Sequence, residues 1–303
     1  MNMKYLNAIA LLLLLMFAVS CQHRGERKKP LLVASIHPYE LILRQLAGSD
    51  FDVQSIIPAS ASPHSWSPKP SDLKALMEAS FVLSNGMGLE ESLQKSLATR
   101  PNEHVEVATL LKDVIPLIAT SNHHDELHEH KHEGNDPHLW TSTFLMSRLI
   151  TKLEKELSSR FPNSSLVFKQ NADIMRGEMD ALIEQINEER RAFSETGLVT
   201  YHNSFQYFTH EFDIEYLGWV QFSPGKEPNP KDLTELGNTI KEHKVQAVFI
   251  EPQMSKKAGE LLAKEFDLKL LTLDPLGSDN RVATIAELFM DNWNSMKEAF
   301  TLK

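Results

Sequence analysis

Two stretches of this chain repeat one pattern, in which short β-rich apolar runs alternate with segments of helical spacing. In the first stretch, 31–36, 53–57, 81–83 and 105–108 read as strands, with helices expected over 39–47, 70–79 and 88–97. In the second, strands are expected at 198–201, 214–217, 247–250 and 270–273, and helices at 204–211, 230–243, 255–266 and 282–300. Strand, helix, strand in that order implies parallel strands covered by their crossover helices. The expected class is therefore α/β, with two similar lobes, each a mostly parallel sheet flanked by helices.

The longest helical pattern lies between the two stretches, at about 164–193. Phe168, Met175, Met179, Leu182 and Ile186 fall on one apolar stripe of it. Pro162-Asn163-Ser164 supplies a start and Gly197 a stop. Its place at the midpoint predicts a rigid strut between lobes, which restricts hinge motion. The expected division is an N-terminal lobe over 31–163, a connecting helix over 164–196 and a C-terminal lobe over 197–303.

The first residues bear on compartment. Lys4 precedes an apolar run over 8–19, shorter than the roughly 20 residues a bilayer span needs. Residues 1–20 therefore read as a signal peptide. The run ends at Ala18-Val19-Ser20-Cys21, which resembles a bacterial lipoprotein signal, and Cys21 is the only cysteine. Lipidation of Cys21 accounts for that lone thiol, and residues 21–30 read as a polar tether. A bacterial cell-envelope protein is expected, lipid-anchored and outside the cytoplasm on the periplasmic or cell-surface face. The net charge of −10 argues against nucleic acid, whose phosphates require basic partners.

The thirteen histidines are spread unevenly. His123, His124, His128, His130 and His132 crowd into residues 121–135, where Leu127 is the only large apolar side chain. Such a stretch buries too little surface to offset its ordering entropy. It is expected to be a mobile auxiliary loop that collects metal. His128-Glu129-His130-Lys131-His132 formally fits a metalloprotease pattern, but that motif needs a buried helix and these surroundings are charged.

His64, His138 and His202 stand alone in polar turns. His64 lies in a loop stiffened by Pro58, Pro63 and Pro68, after the strand at 53–57. His202 ends the strand at 198–201, and Asp274 ends that at 270–273. Ligands of open α/β sheets sit beyond the carboxyl ends of strands. Three imidazoles and a carboxylate meeting in one crevice form a donor set that zinc accepts. His37 ends the first strand and is a candidate extra or supporting ligand. Glu251 ends the strand at 247–250 and is a candidate to orient a liganding imidazole.

Ordered motifs extend these residues. They are Pro63-His64-Ser65-Trp66-Ser67-Pro68, Ser71-Asp72-Leu73, Asn85-Gly86 with Leu89-Glu90, and Asp136-Pro137-His138-Leu139-Trp140. Tyr201-His202 with Phe205 through Phe208, Glu227-Pro228 with Pro230, Glu251-Pro252-Gln253 and Leu273-Asp274-Pro275-Leu276-Gly277 follow. With them the chain resembles the zinc and manganese solute-binding lipoproteins of ABC importers, the cluster A-I type, over 31–303.

The resemblance implies two pseudo-symmetric lobes joined by one long rigid helix, with a metal site in the interlobe cleft. It carries ligand roles onto His64, His138, His202 and Asp274, and likens residues 121–135 to the loop of zinc-type members. Manganese-type relatives tend to place a carboxylate at position 202, and hard cations prefer oxygen, so three nitrogens favour Zn2+ over Mn2+. The implied function is high-affinity Zn2+ binding by a monomer that delivers the ion to an ABC permease, with Mn2+ as the alternative cargo. No enzyme is expected, because Asp274 closes the fourth position and no acid–base pair is evident. A zinc hydrolase and a metal-independent adhesin are the competing classes. The chain departs from the family at Asn203, Ser204 and Gln206, in a segment more usually Tyr-His-Asp-Ala-Phe-Gly-Tyr. It also has Pro63 where zinc-type relatives sometimes carry glutamate.

Overall fold

The computed structural model describes residues 29–116, 136–221, 230–278 and 281–302. The signal peptide expected over 1–20, Cys21, the histidine-rich stretch and Glu227-Pro228 lie outside the described residues. Among the described residues, no helix is long and apolar enough to cross a membrane.

The first half runs β1 (Leu31–Ala34), α1 (His37–Ala47), β2 (Asp52–Ser55), α2 (Pro70–Glu78), β3 (Phe81–Ser84), α3 (Gln94–Ala98), β4 (His104–Glu106) and α4 (Val107–Leu111). Two helices then stand back to back, α5 (Thr143–Arg160) and the 26-residue α6 (Ser165–Arg190). The second half follows with β5 (Phe193–Glu195), β6 (Leu198–His202), α7 (Gln206–Glu211), β7 (Tyr216–Gln221), α8 (Pro230–Glu242), β8 (Ala247–Ile250), α9 (Lys257–Phe266), β9 (Lys269–Thr272), α10 (Ile285–Lys297) and β10 (Thr301–Leu302).

Both principal sheets are four-stranded and wholly parallel, ordered β2-β1-β3-β4 and β7-β6-β8-β9. Each places its second strand outside its first, so the two halves share one topology and the expected pseudo-symmetry is present. β3 and β8 are buried along their whole length, as strands covered on both faces require. The order in which strands are added reverses between β1 and β3 and between β6 and β8, and a crevice forms beyond the carboxyl ends of parallel strands at such a point.

Several boundaries differ from the sequence expectation. Helix was expected from residue 88, but Met87 and Gly88 take positive φ, and the chain turns before a 3-10 segment, Glu91–Leu93. The strand expected to reach Ala108 gives way to α4 at Val107. Helix was also expected to open at Thr141. Instead Leu139–Thr141 is a 3-10 turn, and α5 starts after Ser142, whose Oγ accepts the Leu145 amide at 3.0 Å. That bond satisfies one of the amides a helix start leaves without a partner. β5 and β10 pair antiparallel and were not expected; runs this short carry no periodicity.

The stripe on α6 is buried at Phe168, Met175, Met179, Leu182 and Ile186, with Ala172 among them. Burying side chains of this size contributes roughly 1.5–3 kcal/mol each. They belong to one continuous core that includes Leu32 and Phe81 of the first sheet, Phe208 and Phe249 of the second half, and Trp293 of α10. Trp293 Nε1 also donates to Glu189 Oε2 at 2.8 Å, tying α10 to the far end of α6. The strut is thus part of a shared core, and the described residues from Leu31 onward form one compact unit.

Candidate metal centre

His138 is held by its own turn. Asp136 Oδ1 accepts the His138 backbone amide at 2.9 Å and its Nδ1–H at 2.6 Å. That bond fixes the ring proton on Nδ1, so Nε2 presents its lone pair to the crevice. The turn is supported from beneath. Asn85, at the end of β3, donates its side-chain amide to the Pro137 carbonyl at 2.9 Å and accepts from Tyr39 Oη. Glu90 Oε1 accepts the Asn85 amide at 2.6 Å, and Tyr207 Oη donates to the Asp136 carbonyl at 2.8 Å.

His202 is the last residue of β6 and is buried. His64 comes from the proline-rich loop after β2, where Ser65 and Trp66 amides both donate to the Ser62 carbonyl. The structure brings the three rings together from these distant positions. Their centroids lie 5.2 Å (His64–His138), 5.2 Å (His64–His202) and 4.9 Å (His138–His202) apart. His64 Nε2 and His138 Nε2 are 3.1 Å apart, and one ligand nitrogen from each ring lies within 4.8 Å of the others. A tetrahedral zinc with Zn–N bonds of about 2.0–2.1 Å needs nitrogens about 3.3–3.4 Å apart. The donors fit that ion with small adjustments.

The outer edge of His64 is exposed, while its ring stands against the other two imidazoles. Burial of the ring, followed by the neighbouring His138 and His202, holds its pKa far below the usual 6.5. His64 is therefore neutral at neutral pH, the form that binds metal.

Asp274 is not brought into this group. Its Oδ1 accepts from Gln253 Nε2 at 2.8 Å and from the Leu276 and Gly277 amides at 3.1 and 3.0 Å. Oδ2 accepts the Ser278 amide at 2.5 Å and its hydroxyl at 2.7 Å. Both oxygens are thus occupied by the turn that Asp274 opens, and Gly277 at φ +67° closes that turn. Gln253 reaches Asp274 and the Ala59 carbonyl of the first half, each at 2.8 Å.

His37 also stands apart from the three rings. Its Nδ1–H donates to the Leu276 carbonyl at 2.8 Å, so it serves the Asp274 turn from across the two halves. Trp140 Nε1 does the same through the Pro275 carbonyl at 3.0 Å. Glu251 is buried beside the site, its Oε1 3.5 Å from His202 Nδ1 and accepting the Ser204 hydroxyl at 2.7 Å.

Sequence reasoning left Asp136, Asn85 and Gln253 without roles, and singled out Ser204 only as a departure from the family pattern beside His202. The signal for Asp136 was present, because an aspartate two residues before a liganding histidine can reach its Nδ1. The side-chain partners Tyr39 and Pro137 of Asn85, and Asp274 and Ala59 of Gln253, lie between 21 and 194 residues away, and no local pattern encodes them. Several buried polar atoms without a hydrogen-bond partner gather here: Ser62 Oγ, Asp136 Oδ2, His202 Nδ1 and Gln253 Oε1.

The family model for zinc-uptake complex component A, periplasmic (ZnuA), matches residues 32–299. A Thermotoga maritima protein named for metal binding is 31% identical over 290 residues, covering 95% of this chain and 98% of that protein. The high-affinity zinc uptake system protein ZnuA of Haemophilus ducreyi is 27% identical over 271 residues, covering 84% and 87%. A crystal structure of ZnuA superposes with a TM-score of 0.78 at 26% identity, covering 90% of this chain and 100% of that one.

Proposed function

The chain belongs to the ZnuA family of zinc-uptake components, and from that premise we propose that it binds Zn2+ outside the cytoplasm and delivers it to an ABC permease. His64, His138 and His202 are the proposed ligands. The observation that carries this reading is the convergence of three imidazole nitrogens within 4.8 Å of one another. Three borderline nitrogen donors suit zinc, whereas manganese prefers a larger share of oxygen.

In this reading the ion sheds its water as it enters the crevice. Asp136 holds His138 ready with its proton on Nδ1 and so removes the cost of selecting a tautomer. Asp274 serves as fourth ligand only if it gives up its contacts to the 276–278 turn and Gln253. The shared core behind the site limits how far the two halves part, so release follows from small displacements of the ligand loops on a permease. The proposed lobe boundaries are 31–163, 164–196 and 197–303, with a signal over 1–20 and a lipid on Cys21 holding a monomer at the membrane. Residues 121–135 are the proposed auxiliary collector. The protein acts as a carrier, with no turnover of its own.

The test is a competition titration of zinc and manganese against a strong chelator, using the chain and its His64→Ala/His202→Ala variant. Tight one-to-one zinc binding is expected in the first and absent from the second. Tight zinc binding that survives both substitutions overturns the site.

A further inference from the structure

The two buried histidines are supported unequally. His138 Nδ1 has a carboxylate oxygen at 2.6 Å. His202 Nδ1 has its nearest carboxylate, Glu251, at 3.5 Å and makes no hydrogen bond. The oxygen that faces His202 is the same Oε1 that accepts the Ser204 hydroxyl at 2.7 Å. Ser204, His202 and Glu251 are 1%, 5% and 4% exposed, so no surface water competes for these groups.

We propose that Ser204 is a positioning residue that draws Glu251 away from His202 and so sets how tightly the site holds zinc. This rests on the zinc-binding reading above. A carboxylate hydrogen-bonded to the distal nitrogen of a liganding imidazole fixes its orientation and raises its basicity. His138 has that support and His202 lacks it. His202 is accordingly the weaker ligand and the first to let go. Such a ligand suits a carrier, which has to release what it binds. The hydroxyl that creates the asymmetry stands two residues after His202 and is tied back by its amide, which donates to the His202 carbonyl at 2.9 Å. Ser204 therefore moves with the ligand it governs.

Removing this buried hydrogen bond is expected to tighten zinc binding. In Ser204→Ala, Glu251 loses its competing donor and closes on His202 Nδ1–H. Zinc affinity measured by chelator competition on the full chain is expected to rise about 10-fold, at the lower end of what such outer partners contribute. Zinc release to excess chelator is expected to slow by a similar factor. In metal-free Ser204→Ala, nitrogen-15 NMR is expected to show a hydrogen-bonded Nδ1 proton on His202 that the parent lacks. Ser204→Ala/Glu251→Gln is expected to lose the gain, since the neutral amide is a weaker acceptor.

Unchanged or weaker zinc binding in Ser204→Ala overturns the inference, as does a gain that persists with Glu251→Gln. His64→Ala run in parallel distinguishes failure of the zinc site from failure of the Ser204 role. If it keeps tight zinc binding, the zinc site itself is misassigned. If it loses zinc while Ser204→Ala gains nothing, only the role of Ser204 fails.

Discussion

Asp136 and His138 are joined twice by a single oxygen, Oδ1, which accepts both the backbone amide and the ring Nδ1–H of the histidine. The intervening Pro137 contributes no amide to compete for that oxygen. Its carbonyl is in turn held by Asn85. Nε2 of His138, the proposed ligand atom, is thereby held in one orientation. Asp136→Ala removes both bonds and is expected to weaken zinc binding by about 10- to 100-fold. Chelator competition measures this, and full retention of affinity would show that the turn holds His138 without its carboxylate.

The stability of the metal-free protein is expected to depend on pH through His64. Its folded-state pKa lies far below the 6.5 of a free imidazole, because desolvation of the ring, followed by the neighbouring His138 and His202, disfavours its charged form. The unfolded chain then binds more protons below about pH 6.5, and stability falls as the pH falls from there. Above that value the contribution is fully present. Denaturation midpoints at pH 7.5 and pH 5 are expected to differ more for the parent than for His64→Gln.

Asp274 is expected to matter without metal. Its two oxygens accept from Gln253, the Leu276, Gly277 and Ser278 amides and the Ser278 hydroxyl. Asp274→Ala leaves those donors unpaired and is expected to cost the metal-free protein about 2–3 kcal/mol, at the scale of one or two buried unsatisfied groups. Urea unfolding reads this directly. An unaltered midpoint together with a large loss of zinc affinity would return Asp274 to the role of simple ligand.

Glu211, at the end of α7, crosses to the other half of the molecule and accepts from the Ser142 hydroxyl at 3.1 Å, the Thr143 hydroxyl and the Phe144 amide at 2.8 Å. A carboxylate at a helix start also meets the positive end of the α5 dipole. Glu211→Ala is expected to lower stability by about 2 kcal/mol and to raise hydrogen exchange at the first turn of α5. Exchange equal to the parent there would show that the contact does not hold the halves together.

The division between sequence and tertiary structure follows the range of the forces involved. Strand and helix alternation is local, so the α/β class, the repeated halves, the stripe on the long helix and the three histidines were all legible from residue types and spacing. Helix starts near Met87 and Thr141 were not, because backbone turns and a serine cap override propensity there. The direction of a carboxylate depends on which donors surround it, and these come from distant segments. Asp274 looked like a ligand because it ends a strand. Folding set its oxygens toward Gln253 and the amides of its own turn. Residue types and spacing singled out the three histidines as candidates; the tertiary structure brought their rings together, held His138 closely on Asp136 and left Glu251 bonded to Ser204 at 2.7 Å but 3.5 Å from His202.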